Sequence, residues 1–196
     1  YFERHDGQAV TCDDFRAAMA DANQVNLDQF ERWYLQAGTP VVHASGNWDA
    51  AARQYTLTLR QDCPATPGQA KKLPFHIPVA VGLVSRSGQE LAATRSLELR
   101  EAEQSFVFEG IAEPAVASIL RGFSAPVRLK MDRSDQELAV LLAHDTDPFC
   151  RWEAGQELAE RVLLAQLEAV AGGAEVDLPK HLAAALRGVL ALREED

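Results

Sequence analysis

The feature that most limits what this chain can fold into is a change of apolar period across Phe30-Glu-Arg-Trp-Tyr-Leu-Gln-Ala-Gly-Thr-Pro-Val-Val42. Phe30, Trp33 and Tyr34 stand at i, i+3 and i+4, the spacing that puts three aromatics on one face of a helix. Gly38 follows, where a left-handed C-terminal cap needs a residue without Cβ, and Pro40 forbids continuation. Val41-Val42 then reads as a first strand. A helix with an aromatic face that runs straight into a strand is a joint, and a joint holds two bodies at a set angle.

From there the period stays at two as far as Met131. Tyr55, Leu57 and Leu59 alternate with Thr56, Thr58 and Arg60 in a half-buried strand, and Gly46-Asn47 is expected to turn the chain back toward Val41-Val42 as a hairpin. Cys63 to Lys72 reads as a loop in which Lys71-Lys72 is solvated charge. Ile77, Val79, Val81 and Leu83 mark another strand. Pro78 inside it points to a sheet edge or a bulge, because proline cannot donate to a ladder. Leu97 with Leu99, Phe106 with Phe108, Ile119 with Leu120, and Val127, Leu129 and Met131 complete a run of short strands. With no helical period between them, they predict a small immunoglobulin-like β-sandwich whose strand order is open.

Helical signals flank this region on both sides. Upstream, Thr11-Cys-Asp-Asp14 has the form of a capping box, with a narrow stripe of Phe15, Ala18, Met19 and Ala22 behind it. Asn26-Leu-Asp-Gln29 is expected to cap the aromatic helix in the same way. Downstream, Ser134-Asp-Gln-Glu137 starts one helix and Asp147-Pro148 a second. The second is expected to pack along Phe149, Trp152, Gln156, Ala159, Leu163, Leu167 and Val170 until Gly172-Gly173 stops it. Pro179 opens a third, with Leu182, Leu186 and Leu190. Net charge follows the same partition: −4 over residues 1–37, +2 over 38–131 and −8 over 132–196, for a total of −10. The fold expected is mainly a β-sandwich flanked by α-helical segments at both ends, divided as 1–38, 39–131 and 132–196. Tyr1-Phe-Glu-Arg4 carries no start signal and Arg193-Glu-Glu-Asp196 no closing cap, so both ends are expected to be cuts in a longer polypeptide.

The acidic balance argues against a nucleic-acid or anionic-membrane surface. No apolar run reaches the roughly 18 residues of a membrane span. Cys12, Cys63 and Cys150, odd in number and scattered, read as reduced thiols of a cytoplasmic protein, each a small buried hydrophobe. None of the histidines, His5, His43, His76, His144 and His181, is followed by Glu and a second His one turn on, the spacing that puts two zinc ligands and a general base on one helical face. His144-Asp-Thr-Asp147 reads as a helix C-terminus followed by an Asp N-cap in preference to an oxygen–nitrogen metal site. Trp33-Tyr34 reads as a packing face in preference to a sugar platform. No catalytic, cofactor-binding or metal residue is assigned.

Tyr1 to Phe15 and Phe30 to Pro40 closely resemble the segment that closes the catalytic domain of the bacterial aminopeptidase N family, zinc metallopeptidases of the gluzincin class. Ser134-Asp-Gln-Glu-Leu138 and Asp147-Pro-Phe-Cys-Arg-Trp-Glu-Ala154 resemble the start of that family's C-terminal helical domain. The likeness runs through nearly the whole chain and is vaguer over residues 43–125. It implies a parent enzyme that removes N-terminal residues from peptides, with one zinc held by His-Glu-x-x-His and a further Glu, and a Gly-x-Met-Glu-Asn segment for the substrate amine. Neither motif occurs in this sequence. The resemblance therefore implies zinc and peptide substrates for the parent, none for this portion, and packing in cis against an upstream catalytic domain and a downstream helical domain. Residues 39–131 would be the spacer, mounted on Trp33 and Tyr34. The rival reading is a free-standing immunoglobulin-like protein-interaction module.

Overall fold

A computed structural model describes residues 1–191. Its centre is a hairpin of two nine-residue strands, β1 (Val41–Asp49) and β2 (Gln54–Asp62), paired from Val41↔Asp62 to Asp49↔Gln54. The turn is at Ala50–Arg53, not at Gly46-Asn47 as the sequence predicts. Asp49 Oδ1 accepts from the N–H groups of Ala51 and Ala52, and Arg53 takes a positive φ of 52°. Such local side-chain bonds make an Asx-type turn without glycine. Gly46 stays inside β1 because the Tyr55 ring crosses it: a Cβ there would lie 1.7 Å from Tyr55 Oη.

Five further strands follow: β3 (Ile77–Ser85), β4 (Glu90–Leu99), β5 (Glu103–Glu109), β6 (Ala115–Ile119) and β7 (Arg128–Met131). They form two sheets, β5-β2-β1-β7 and β4-β3-β6. Val42, Leu57 and Leu59 of the first meet Ile77, Val79, Val81, Leu83, Leu97 and Leu99 of the second in a fully buried core, so the immunoglobulin-like sandwich expected from the alternation is the fold observed. Pro78 sits where β3 has no neighbour on one side, since β6 pairs only with Val81–Ser85. The N–H of Ala80, facing the same way two residues on, goes instead to Ser124 Oγ. Leu120 leaves the strand with φ of 66° and leads into a 3-10 turn, Arg121–Phe123. β7 pairs parallel with β1, from Val41↔Arg128 to Ala44↔Met131, and among the described residues no strand pairs with its other edge.

Helices lie at both ends. α1 (Phe2–His5) precedes α2 (Cys12–Asn23), which begins with the expected Thr11–Asp14 capping box. The aromatic helix is only one turn, α3 (Arg32–Leu35). Asn26 does not cap it; Asn26 Oδ1 accepts from Asp28 N in a local turn. One turn cannot present three aromatics together: Trp33 faces the sandwich, while Phe30 and Tyr34 stack edge-to-face on each other and remain exposed. Gly38, at φ of 102°, lies beyond the extended cap residue Gln36 and serves a turn, not the helix end.

After the sandwich come α4 (Asp135–His144), with its Ser134–Glu137 capping box, α5 (Pro148–Ala171), capped by Asp147, and α6 (Lys180–Ala191). The seam of α5 differs from the expected one. Cys150, Ala154, Leu158 and Val162 are buried; the last three pack with Leu138, Leu141 and Leu142 of α4, whereas Trp152, Leu163, Leu167 and Val170 are exposed. The helix is apolar on two faces, and α4 takes the one with small residues: Gly155 lies so close to Leu142 that a Cβ would stand 3.0 Å from its Cδ1. In α6, Leu182 and Ala185 are buried, while Leu186 and Leu190 are exposed. The uncapped end expected at Arg193–Asp196 lies outside the described residues.

Gly46→Ala is expected to destabilise the chain by about 2–3 kcal/mol through the clash with Tyr55, read as a lower urea midpoint at unchanged slope.

Candidate functional site at the interdomain joints

Two polar joints tie the sandwich to its neighbours. At the first, Trp33 donates from Nε1 to His76 O at 2.9 Å and its ring lies 4.7 Å from that of Phe75. Around this anchor, side chains of residues 29–36 bond the backbone of the segment ahead of β3. Gln29 donates to Pro74 O and Arg100 O, Arg32 donates to Pro74 O, and Gln36 exchanges two amide bonds with Leu73. Lys72, read from sequence as solvated charge, instead donates to Ala37 O, Thr66 Oγ1 and Gln69 Oε1. The mounting surface is thus Trp33 with a set of glutamines, and Tyr34 has no part in it.

At the second joint stands Arg121, its side chain 4% exposed. Nε donates to Ser118 Oγ, Nη1 to Glu90 Oε1 and Thr94 Oγ1, and Nη2 to Asp145 Oδ1 at 3.1 Å. The Asp145 side chain is fully buried. Gly82 underlies the guanidinium, where a Cβ would come within 2.2 Å of Cζ. Asp147 caps α5 through Cys150 N and also accepts from Gly122 N, so the link between α4 and α5 is tied to the 3-10 turn at two points. His144-Asp-Thr-Asp147 is indeed a helix end followed by an N-cap, but its buried member, Asp145, carries no sequence signal that separates it from a surface aspartate.

The thiols differ from one another. Cys150 fits the small buried hydrophobe: it donates to Ile119 O, and burial pushes its pKa up to about 12. Cys63 is half-buried, which raises it less, and Cys12 is exposed on the first turn of α2. His43 pairs with Asp62 at 2.7 Å; His76 lies 3.8 Å from Glu98, and burial lowers its pKa. Among the described residues, no group of three or more His, Cys, Asp or Glu is placed to hold a metal ion, and no helix is long and apolar enough to cross a membrane. A cleft of about 900 Å³ opens between β7 and α5.

Residues 38–132 match a domain of unknown function with an Ig-like fold (DUF3458), and residues 135–196 match its C-terminal companion, described as ARM repeats (DUF3458_C). Aminopeptidase N of Escherichia coli (strain K12) is 43% identical over 197 residues, which cover 97% of this chain and 23% of that protein. The chain belongs to the aminopeptidase N family. Aminopeptidase N of Haemophilus influenzae is 35% identical across 100% of the chain and 23% of its own length, and that of Caulobacter vibrioides 46% across 84% and 19%. The crystal structure of Legionella pneumophila aminopeptidase A in complex with aspartic acid superposes with a TM-score of 0.81 at 28% identity, covering 97% of this chain and 21% of that one. The chain thus spans about a quarter of the length of the aminopeptidase N relatives it matches.

Arg121→Met strands the Asp145 carboxylate without its cation and is expected to cost about 3–5 kcal/mol, whereas Arg121→Met with Asp145→Leu recovers much of the loss; denaturant unfolding of the single and double variants measures both. Thiol modification at pH 8 should label Cys12 first and Cys63 more slowly. Cys150 should react only at the rate of unfolding, as peptide mapping of the labelled thiols would show.

Proposed function

We propose that this chain is the non-catalytic portion of a zinc-dependent aminopeptidase N that removes N-terminal amino acids from peptides. Residues 1–38 are the helical tail of its catalytic domain, residues 39–131 the sandwich that acts as spacer, and residues 132–196 the first helices of its C-terminal helical domain. The observation that carries this reading is the pair of polar joints, one on each side of the sandwich. Each is built from bonds that fix an orientation, part-buried at Trp33 and buried at Arg121–Asp145, rather than from groups arranged for chemistry. Kinship with aminopeptidases four times as long supports it.

Among the described residues no group is placed to hold zinc, and in this reading the rest of the polypeptide supplies the metal, the general base and the amine-binding group. This chain's own contribution is to hold the neighbouring domains at a fixed separation and angle, packed in cis. Peptides, not nucleic acid or membrane, are the partners of the parent, and three unpaired thiols fit a cytoplasmic setting. A free-standing interaction module accounts for the sandwich but not for a joint on each flank.

The test compares the 196-residue chain with the full reading frame that contains it, assayed for alanine p-nitroanilide hydrolysis and for bound zinc by elemental analysis. The full polypeptide is expected to hydrolyse the anilide and retain zinc, and the chain alone to do neither. Chelator-sensitive turnover by the pure chain overturns the proposal.

A further inference from the structure

We propose that the cleft between β7 and α5 binds the C-terminal end of an extended peptide, through strand addition to the free edge of β7 and capture of the terminal carboxylate by Arg133. This goes beyond the spacer role and does not depend on it.

The first observation is the edge itself. Arg128 N–H donates to Pro40 O, on the β1 side. Along a strand successive residues alternate, so the N–H and C=O groups of Leu129 and Met131 face away from β1, where no strand among the described residues pairs with them. All seven residues from Val127 to Arg133 line the cleft, so this free edge opens into it. Unpaired backbone groups in a row recognise another extended backbone.

The second observation is Arg133, whose side chain is 9% exposed. The two buried arginines among the described residues are bonded very differently. Arg121 makes four hydrogen bonds to side chains. Arg133 makes one, to Ala117 O at 3.5 Å, the weak limit of such a bond; its nearest carboxylate, Glu157, is 3.9 Å away, and its Nε has no partner. Glu157 is engaged by Arg161 at 2.6 Å. A guanidinium has donors for a bidentate carboxylate, and a buried one left so poorly satisfied is costly unless a ligand completes it.

Together the two define polarity. Arg133 follows β7 in the chain, so a peptide that runs parallel to β7 brings its C-terminus to the Arg133 end. Phe149 of α5 and Leu129 and Met131 of β7 give the cleft apolar walls, and the charged residues along it are of both signs. The ligand class is therefore an apolar peptide with a free C-terminal carboxylate.

The experiment titrates the 196-residue chain with an N-acetylated tetrapeptide of alternating valine and alanine, as the free acid and as the C-terminal amide. Amide shifts are followed by two-dimensional NMR. The acetyl group removes the free amine that an aminopeptidase site needs, so the outcome is separate from the peptidase reading. The acid is expected to give saturable shifts at Leu129 and Met131, with the amide at least about tenfold weaker, because a charge-assisted bond to Arg133 is lost. Arg133→Gln should bring the acid down to the level of the amide, and Leu129→Pro, which removes an outward N–H, should weaken both. Equal binding of acid and amide, shifts confined to another surface, or no saturable shift at β7 overturns the proposal, and the acid–amide comparison needs no variant to fold.

Discussion

The Arg121–Asp145 pair is the interaction on which the relation between sandwich and helices depends. Its partners come from β4, from β6 and from the link between α4 and α5, so one guanidinium addresses three parts of the chain. A charge pair removed from water gains little net stability over apolar side chains of similar volume. What it does supply is direction: a guanidinium accepts partners only in its own plane and at fixed angles. A hydrophobic contact at the same place would let the helices slide. Gly82 beneath the guanidinium and the positive φ at Leu120 show how much of the local backbone is shaped to admit it.

The first joint reaches the same end by other means. Glutamine and lysine side chains there bond backbone groups of a segment without regular structure, and such groups need partners wherever they are shielded from water. Trp33 supplies the area, and the amides supply the register. The acidic flanks and the nearly neutral middle seen in the composition do not account for either joint; both depend on single placed groups.

Much of the fold was legible because it rests on short-range rules. Capping boxes at Thr11 and Ser134, the Asp147-Pro148 helix start and the alternation at Tyr55–Leu59 and Ile77–Leu83 are all local, and each stands where the pattern puts it. The errors share a cause: tertiary packing outweighed a local preference. Gly46 reads as a turn but is a clearance for the Tyr55 ring, which residue spacing does not reveal; the pattern of α5 favours its bulkier face, whereas α4 packs on the one with small residues. At the joints, Arg121 and Asp145 are separated by more than twenty residues and lie in no motif, and Gln36 or Gln69 is indistinguishable in sequence from any solvated glutamine. The family is legible by a different route, through the residues flanking the sandwich.

The parallel pairing of β1 with β7 has a mechanical consequence. The chain comes into the sandwich at Val41 and leaves it after Met131, and these residues lie on neighbouring strands that run in the same direction. Tension between the flanking bodies therefore pulls β1 and β7 past each other along their length, so the ladder from Val41↔Arg128 to Ala44↔Met131 is loaded in shear, all its bonds at once. The other five strands lie off that line of force. As a transmitter of load the sandwich is a short clasp, and the rest of it is the frame that keeps the clasp aligned.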